Sequence, residues 1–429
     1  MTQNVIGICS ITLLILLFMK VPVFVSVLGA SGVYFYLSPT ANAQIFAQRV
    51  LAGCESIPLL AIVFFVCAGI FMNYSGVTQR VLDFCEVLTG RMTGGLAQVN
   101  VLLSTLMGGL SGSNLADAAM EAKMLVPTMV KKGFSLEFSA VVTATSAMIT
   151  PLIPPGIALI IYGCVANVSI GKLFIAGIGP GVLLCISLMI LVSVISRKRG
   201  YLPLRTTRVS VREFWTALKS AALPLCLPII IIGGIRLGVF TATEAGAVAI
   251  VYSLFLGILY KELTWKGLIQ GIKETVTTTA SIMLIVGAAS AFAWILTKER
   301  VPQKITEFLV TIISNKYVFL MVVNVFLLIV GMFIEGNAAM LVLVPILAPV
   351  AQAFGLDKIH FGMVFIFNMA IGCLSPPMGT LMFVTCGITG CRIRSFIREA
   401  VPFYILLIVC LLLLTFVPFF STGLVSLIY

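Results

Sequence analysis

Long apolar runs recur along the whole chain, at residues 5–18, 21–37, 57–72, 173–195, 223–235, 245–259, 279–296 and 403–420. Crossing about 30 Å of hydrocarbon takes roughly 20 helical residues. Inside a bilayer every backbone N–H and C=O must be paired within the protein, so only helices and closed barrels span it. Runs of this length without alternating polarity exclude barrel strands. Composition agrees, since 60% of the 429 residues are hydrophobic and only 10% are charged, against about 25% charged in soluble domains. The chain therefore reads as an all-α integral membrane protein, a single polytopic membrane domain over residues 1–429. Residues 1–4 carry no basic group and no small-residue cleavage site follows, so the first run reads as a membrane helix and not as a removed signal peptide.

Chemistry of other kinds finds little support. The eleven cysteines, among them Cys9, Cys67, Cys185, Cys226 and Cys410, fall mostly in apolar runs and lack metal-type spacing, so they read as small buried hydrophobes. Cys386 and Cys391 suit neither a redox motif nor a zinc site. There is no nucleotide-binding GxxxxGK[ST] and no HExxH, and one histidine gives no basis for a Ser–His system. The net charge of +12 is concentrated in Arg197, Lys198, Arg199, Arg205, Arg208 and Arg212, a polar linker that sets membrane orientation and is no nucleic-acid surface.

The most specific feature is a duplicated break. Pro154 and Pro155 interrupt one apolar stretch, and Pro376 and Pro377 interrupt another 222 residues later. Gly109 and Gly331, Pro127 and Pro349, Gly133 and Gly355, and Leu152 and Leu374 match at the same offset. Two repeats are expected, about 5–195 and 227–417, joined by a cytoplasmic linker of about 197–219. If each repeat has five crossings and one re-entrant hairpin, at about 95–131 and 318–353, the repeats are inverted and both termini lie outside. That topology puts 19 of the 27 basic residues inside, Lys20 among them, and 8 outside, in keeping with the positive-inside rule. Two amphipathic segments, 76–90 and 301–313, fit helices lying in the membrane interface, though plain connecting helices are equally compatible.

The polar chemistry collects at the hairpin tips and the breaks. In GGLSGSNLAD (108–117), Gly112 permits a tight reversal, while Ser111, Ser113 and Asn114 offer oxygens and the second arm presents free N–H groups. TPLIPPG (150–156) faces it; its prolines free a turn of carbonyls, which are natural cation ligands. GMFIEGN (331–337) and SPPMGT (375–380) rebuild the arrangement, so two pseudo-symmetric sites for a hard cation such as Na⁺ are expected. A structural turn with a helix N-cap is the competing reading of the first tip. Acidic residues at this depth are costly, which makes Asp117, Glu121 and Glu335 candidates for cation attraction or hairpin anchoring. Asp117 and Glu121 share a helical face and call for a cation or a basic partner. Glu55 and Glu244 read as helix-end residues, and His360 as an ordinary interface residue. With no ATP motif, an ion gradient is left as the energy source.

GGLSGSNLADAA (108–119), the run from Pro127 to Gly133, IPPG (153–156), and GMFIEGNAAMLVLVPILAP (331–349) with SPPMG resemble the large membrane subunit of TRAP transporters. The resemblance covers essentially the whole chain. It implies a Na⁺-driven importer of a small organic carboxylate (sialic acid, a C4-dicarboxylate or a sugar acid) working by an elevator mechanism with scaffold and transport domains. It also implies two partners, a small four-helix membrane subunit and an extracytoplasmic substrate-binding protein, in a bacterial cytoplasmic (inner) membrane. Carried over by motif, one Na⁺ site takes Ser111, Gly112, Ser113 and Asn114 with Pro154, Pro155 and Gly156. The other takes Gly331, Glu335, Gly336 and Asn337 with Pro376, Pro377, Gly379 and Thr380. Ser113, Asp117, Asn337 and Thr380 are the substrate-cavity candidates. The family often has a serine where Gly156 stands, so backbone coordination is expected there. No catalytic residue, resident metal, cofactor or nucleic acid is expected. A standalone ion-coupled carboxylate carrier with a related hairpin fold is the alternative.

Overall fold

A computed structural model describes residues 2–19, 21–38, 41–55, 57–313 and 315–429, apart from the side chains of residues 2–4, Phe18 and Ile57. Lys20, placed inside by the charge count, lies outside the described residues. The described residues are helical, without strands. The first half runs through α1 (Thr2–Phe18), α2 (Val23–Leu37), α3 (Ala43–Cys54), α4 (Leu60–Tyr74) and α5 (Val77–Thr89). A helical hairpin follows, α6 (Gly95–Ser111) with α7 (Asn114–Met124) and α8 (Val126–Lys131), then a broken helix, α9 (Leu136–Ser146) and α10 (Ile157–Ala166), and then α11 (Ile170–Arg199). The second half comprises α12 (Val211–Arg236), α13 (Ala242–Leu259), α14 (Trp265–Lys298), α15 (Val301–Ile312), the hairpin α16 (Lys316–Gly331) and α17 (Gly336–Ala353), the broken helix α18 (Lys358–Leu374) and α19 (Thr380–Thr389), α20 (Ile393–Phe416) and α21 (Phe419–Ile428).

Shifted by 222 residues, the starts of α2, α5, α6, α7, α9, α10 and α11 fall within three residues of those of α13, α15, α16, α17, α18, α19 and α20. Two places differ. The 34-residue α14 is continuous where α3 and α4 are separate, and the 30-residue α11 is continuous where α20 and α21 are separate. The apolar run 403–420 is thus not one helix: α20 stops at Phe416, and Pro418, which has no N–H to donate, precedes α21. The expected linker also shortens, because α11 extends through Arg199 and α12 begins at Val211.

Among the described residues six helices are long and apolar enough to cross a membrane, or seven if α4 and α5 count as one bent span. At Gly76, whose φ of 70° suits glycine, α5 turns 72° away from α4. Large apolar side chains face outward along the spans, for example Ile190, Ile229 and Val251 at 59%, 69% and 68% exposure, as lipid contact requires. Local signals fix the helix ends. Thr241 and Glu244 form a reciprocal capping box at α13, and Asp357 accepts from the N–H groups of Ile359 and His360 at α18. His360, in the first turn of α18, is buried at 2% exposure, with Nδ1 2.8 Å from Ser421 Oγ.

The hairpins and broken helices form the most buried part of the molecule, and they interlock across the two halves. The half-helix α19 packs along α7, and its counterpart α10 packs along α17; α9 packs on α20, and α11 on α18. Each hairpin is also clamped to its own broken helix by a buried asparagine. Asn100 on α6 donates to Thr143 Oγ1 (2.7 Å) and accepts from Ser146 (3.0 Å). Asn324 on α16 donates to Thr415 (2.9 Å) and accepts from Asn368 (2.8 Å). In apolar surroundings such amides hold register because an unmade hydrogen bond is costly. One close crossing joins α16 to α18, where a β-carbon on Gly372 would lie 2.5 Å from the Gly331 α-carbon. Replacing Gly372 by Val should therefore force the two helices apart and lower stability by about 1–3 kcal/mol or more. Gly387→Ala, in open space, should leave stability nearly unchanged; melting of the detergent-purified variants checks both.

Candidate cation and substrate site

The first tip is built by its glycine and its cap. Gly112 has a φ of 66° and closes α6; Ser113 is extended and its hydroxyl accepts from the Ala116 N–H at 3.5 Å, starting α7. Asp117 in the first turn and Lys123 in the last complement the helix dipole of α7. This tip lies directly on the first break. The Ile157 N–H donates to the Gly112 carbonyl at 3.4 Å. A β-carbon at Gly112 would sit 2.9 Å from the Pro155 carbonyl oxygen, and one at Gly109 would sit 3.3 Å from that of Pro154. The carbonyls of Pro154 and Pro155 within the break thus face a tip that carries Ser111, Ser113 and Asn114. Pro154, Pro155 and Gly156 are all buried.

Gly156 has ordinary extended backbone (φ −65°), so its need for glycine is steric. A β-carbon there would lie 2.7 Å from the Pro151 carbonyl oxygen and 3.3 Å from that of Ile153. The break folds back on itself too closely for a side chain, which accounts for the missing serine.

The second junction is arranged differently. Gly331 meets Gly372, and Gly336 faces Met369 and Cys373, so this tip rests on the last turns of α18, ahead of the proline pair. Glu335 caps α17, its Oε2 accepting from the Ala338 N–H at 3.0 Å. Pro376 is half-buried and Pro377 exposed, and the carbonyl of Leu374 accepts from Tyr404 at 2.9 Å. Gly379 folds close to the Ser375 carbonyl, and the buried Oγ1 of Thr380 has no hydrogen-bond partner among the described residues. Both X-Pro bonds, Pro154–Pro155 and Pro376–Pro377, are cis.

Between the two tips lies a cavity of about 30 Å³, lined by Asn114, Pro151, Ala158, Glu335, Asn337 and Met369 among others. Such a space holds about one or two waters, so the tips are drawn together in this conformation. Of the four substrate-cavity candidates, Asn337 lines this space and Ser113, Asp117 and Thr380 do not. Asp117 is fully buried behind the first tip and accepts from Thr150 Oγ1 at 2.7 Å. Glu121 is equally buried, with the Ser104 hydroxyl 2.7 and 2.9 Å from its two oxygens. The side-chain partners of this acidic pair are hydroxyls; of the expected cation or basic partner, no basic side chain forms an ion pair with either acid among the described residues. The pair also has no counterpart in the second half, where Ala339 and Leu343 stand 222 residues on.

Two further contacts escaped the sequence reading. A β-carbon on Gly69 of α4 would lie 2.5 Å from the Ser111 carbonyl, and Pro228 of α12 lies against Gly109. Both are single residues within apolar helices, and only the tolerated Gly and Pro in those runs hinted at close approach.

Hairpin tips laid against broken helices, in a bundle with helices of membrane-spanning length, fit the helical membrane transporter class. Comparison with solved structures points the same way. The transporter YdaH of Alcanivorax borkumensis aligns at TM-score 0.63 with 14% identity, over 90% of this chain and 91% of that one. MtrF of Neisseria gonorrhoeae aligns at 0.56 with 13% identity, over 91% and 92%. At such identities the likeness is one of fold. Family is given by sequence: residues 10–420 match the model of the tripartite ATP-independent periplasmic transporter, DctM component, and the chain belongs to that family. Relatives include the sialic acid TRAP transporter large permease SiaM of Vibrio cholerae, 42% identical over 95% of both chains. The C4-dicarboxylate large permease DctM of Pseudomonas aeruginosa is 38% identical over 92% of this chain and 93% of its own. The 2,3-diketo-L-gulonate large permease YiaN of Escherichia coli is 37% identical over 88% of each. The chain is thus a multi-pass membrane permease of a tripartite transport system, and not an enzyme.

Gly112→Ala should cost about 1–3 kcal/mol, because alanine is strained at positive φ and its methyl meets the Pro155 carbonyl. Thr150→Val, which strips Asp117 of its hydroxyl donor, should cost about 1–3 kcal/mol, with Thr150→Ser restoring most of it. Thermal melts of the purified variants measure both.

Proposed function

We propose that this permease couples inward movement of Na⁺ to import of a small organic carboxylate delivered by an extracytoplasmic binding protein, together with a small four-helix membrane subunit. The observation that carries this reading is the first junction, where the backbone carbonyls of Pro154 and Pro155 in the helix break meet the Ser111–Asn114 tip beside a gap shared with the opposite tip. Dehydrating a hard cation needs several oxygens at one point, and this junction supplies backbone and hydroxyl oxygens without a fixed positive charge. Ser111, Gly112, Ser113 and Asn114 with Pro154, Pro155 and Gly156 form the first Na⁺ site. Gly331, Glu335, Gly336 and Asn337 with Pro376, Pro377, Gly379 and Thr380 form the second, which is more open in this conformation. Asn337 is the first choice for substrate contact, given its place on the gap.

The register of the two halves and the bias of basic residues support inverted repeats in the bacterial inner membrane, with termini outside and the linker cytoplasmic. Interlocked hairpins and broken helices then form one transport unit that moves as an elevator against α1–α4 and α12–α14. The named relatives carry sialic acid, C4-dicarboxylates and 2,3-diketo-L-gulonate, all of them carboxylates, which supports that substrate class. Uptake into proteoliposomes holding the complete complex tests the proposal. Transport should require an inward Na⁺ gradient and the binding protein, and uptake indifferent to either would overturn it. Ser113→Ala and Asn114→Ala should each raise the Na⁺ concentration for half-maximal uptake, at unchanged folded yield by size-exclusion chromatography.

A further inference from the structure

A crevice along α11 combines an apolar floor with an unpaired guanidinium. Ile186, Met189, Ile190, Ser193, Val194 and Arg197 line it, at spacings that place them on one face of the helix, and Met92 from the turn before α6 forms the opposite wall. Its volume is about 430 Å³. From Ile186 to Arg197 the helix rises about 16 Å, roughly the depth of one leaflet's hydrocarbon. Beyond Ile186 a second apolar crevice continues between α11 and α21, along Val182, Phe420 and Leu424.

The charges around the mouth are not equivalent. Arg199 is bound to Glu399 at 2.7 Å and lies over the Phe138 ring. Arg205 is bound to Glu213 at 2.5 Å and holds that carboxyl below its ordinary range. Arg197 has no ion pair among the described residues, and its neighbours in the crevice are apolar apart from Ser193. Arg91, adjacent to Met92, brings a second positive charge to the same end.

We infer that this crevice is a binding site for an anionic diacyl phospholipid, its phosphate on Arg197 and one acyl chain laid along Val194, Ile190 and Ile186. A guanidinium presents a planar fork that matches phosphate oxygens two at a time, and basic pockets beside membrane helices take anionic headgroups for this reason. The Ser193 hydroxyl, one turn below Arg197, lies at the depth of the ester linkage. The inference holds whichever side of the membrane the linker occupies, and it does not rest on Na⁺ coupling or on the substrate.

The test uses the full-length permease, delipidated in detergent and titrated with phosphatidylglycerol or with phosphatidylcholine of the same acyl chains. Native mass spectrometry reads bound lipid, and thermal melting reads stabilisation. Phosphatidylglycerol should bind in preference and raise the melting temperature, and Arg197→Gln should weaken its apparent affinity about fivefold. Ser193→Trp, which fills the crevice, should remove the bound lipid, whereas Arg208→Gln in the linker should leave it in place. Equal binding of the two lipids, or undiminished phosphatidylglycerol binding by Arg197→Gln, would overturn the assignment.

Discussion

Every interruption of a helix at membrane depth leaves backbone groups that water cannot satisfy. The prolines at 154 and 155 create such a gap, and the first hairpin tip closes it. The Gly112 carbonyl receives the Ile157 N–H, and Gly109 and Gly112 let the tip approach the Pro154 and Pro155 carbonyls. Hairpin and broken helix therefore stabilise one another, and neither would keep its geometry alone in lipid. The asparagine clamps at Asn100 and Asn324 fix the height at which each hairpin meets its partner.

Interlocking extends this dependence to both hairpins and both broken helices. Because α7 packs on α19 and α10 on α17, each half supplies one wall of the other half's half-helix. The gap between the tips consequently has residues of both halves around it, Asn114, Pro151 and Ala158 from one and Glu335, Asn337 and Met369 from the other. The duplication has nonetheless diverged. The first junction is closed over its prolines and backed by a buried acidic pair, while the second rests on α18 and leaves Pro377 exposed.

Much of this was legible in the chain. Glycine and proline have few roles in an apolar run, so Gly112, Pro154 and Pro155 marked the tip and the break with little ambiguity, and the hairpin expected at 95–131 has the ends of α6 and α8. What stayed hidden depends on contacts distant in sequence. Thr150 and Ser104 satisfy Asp117 and Glu121 across helix pairs, and nothing in a hydroxyl residue announces its partner. Gly69 and Pro228 reach the first tip from stretches that read only as apolar runs. Likewise the run 403–420 looked continuous because hydropathy averages over a single proline, although Pro418 ends the helix locally.

The unbroken length of α14 sets the two halves apart. Its 34 residues make a rod of about 51 Å, far longer than the hydrocarbon is thick. Its first turns are polar, with Lys273 and with Glu274 bound to Tyr74 and Gln270, whereas its last turns pack beside α3 and α17. In the first half the same stretch is jointed between Cys54 and Leu60. The polar end of α14 and the end beside α17 are therefore parts of one continuous helix, whereas the first half divides the same length between α3 and α4.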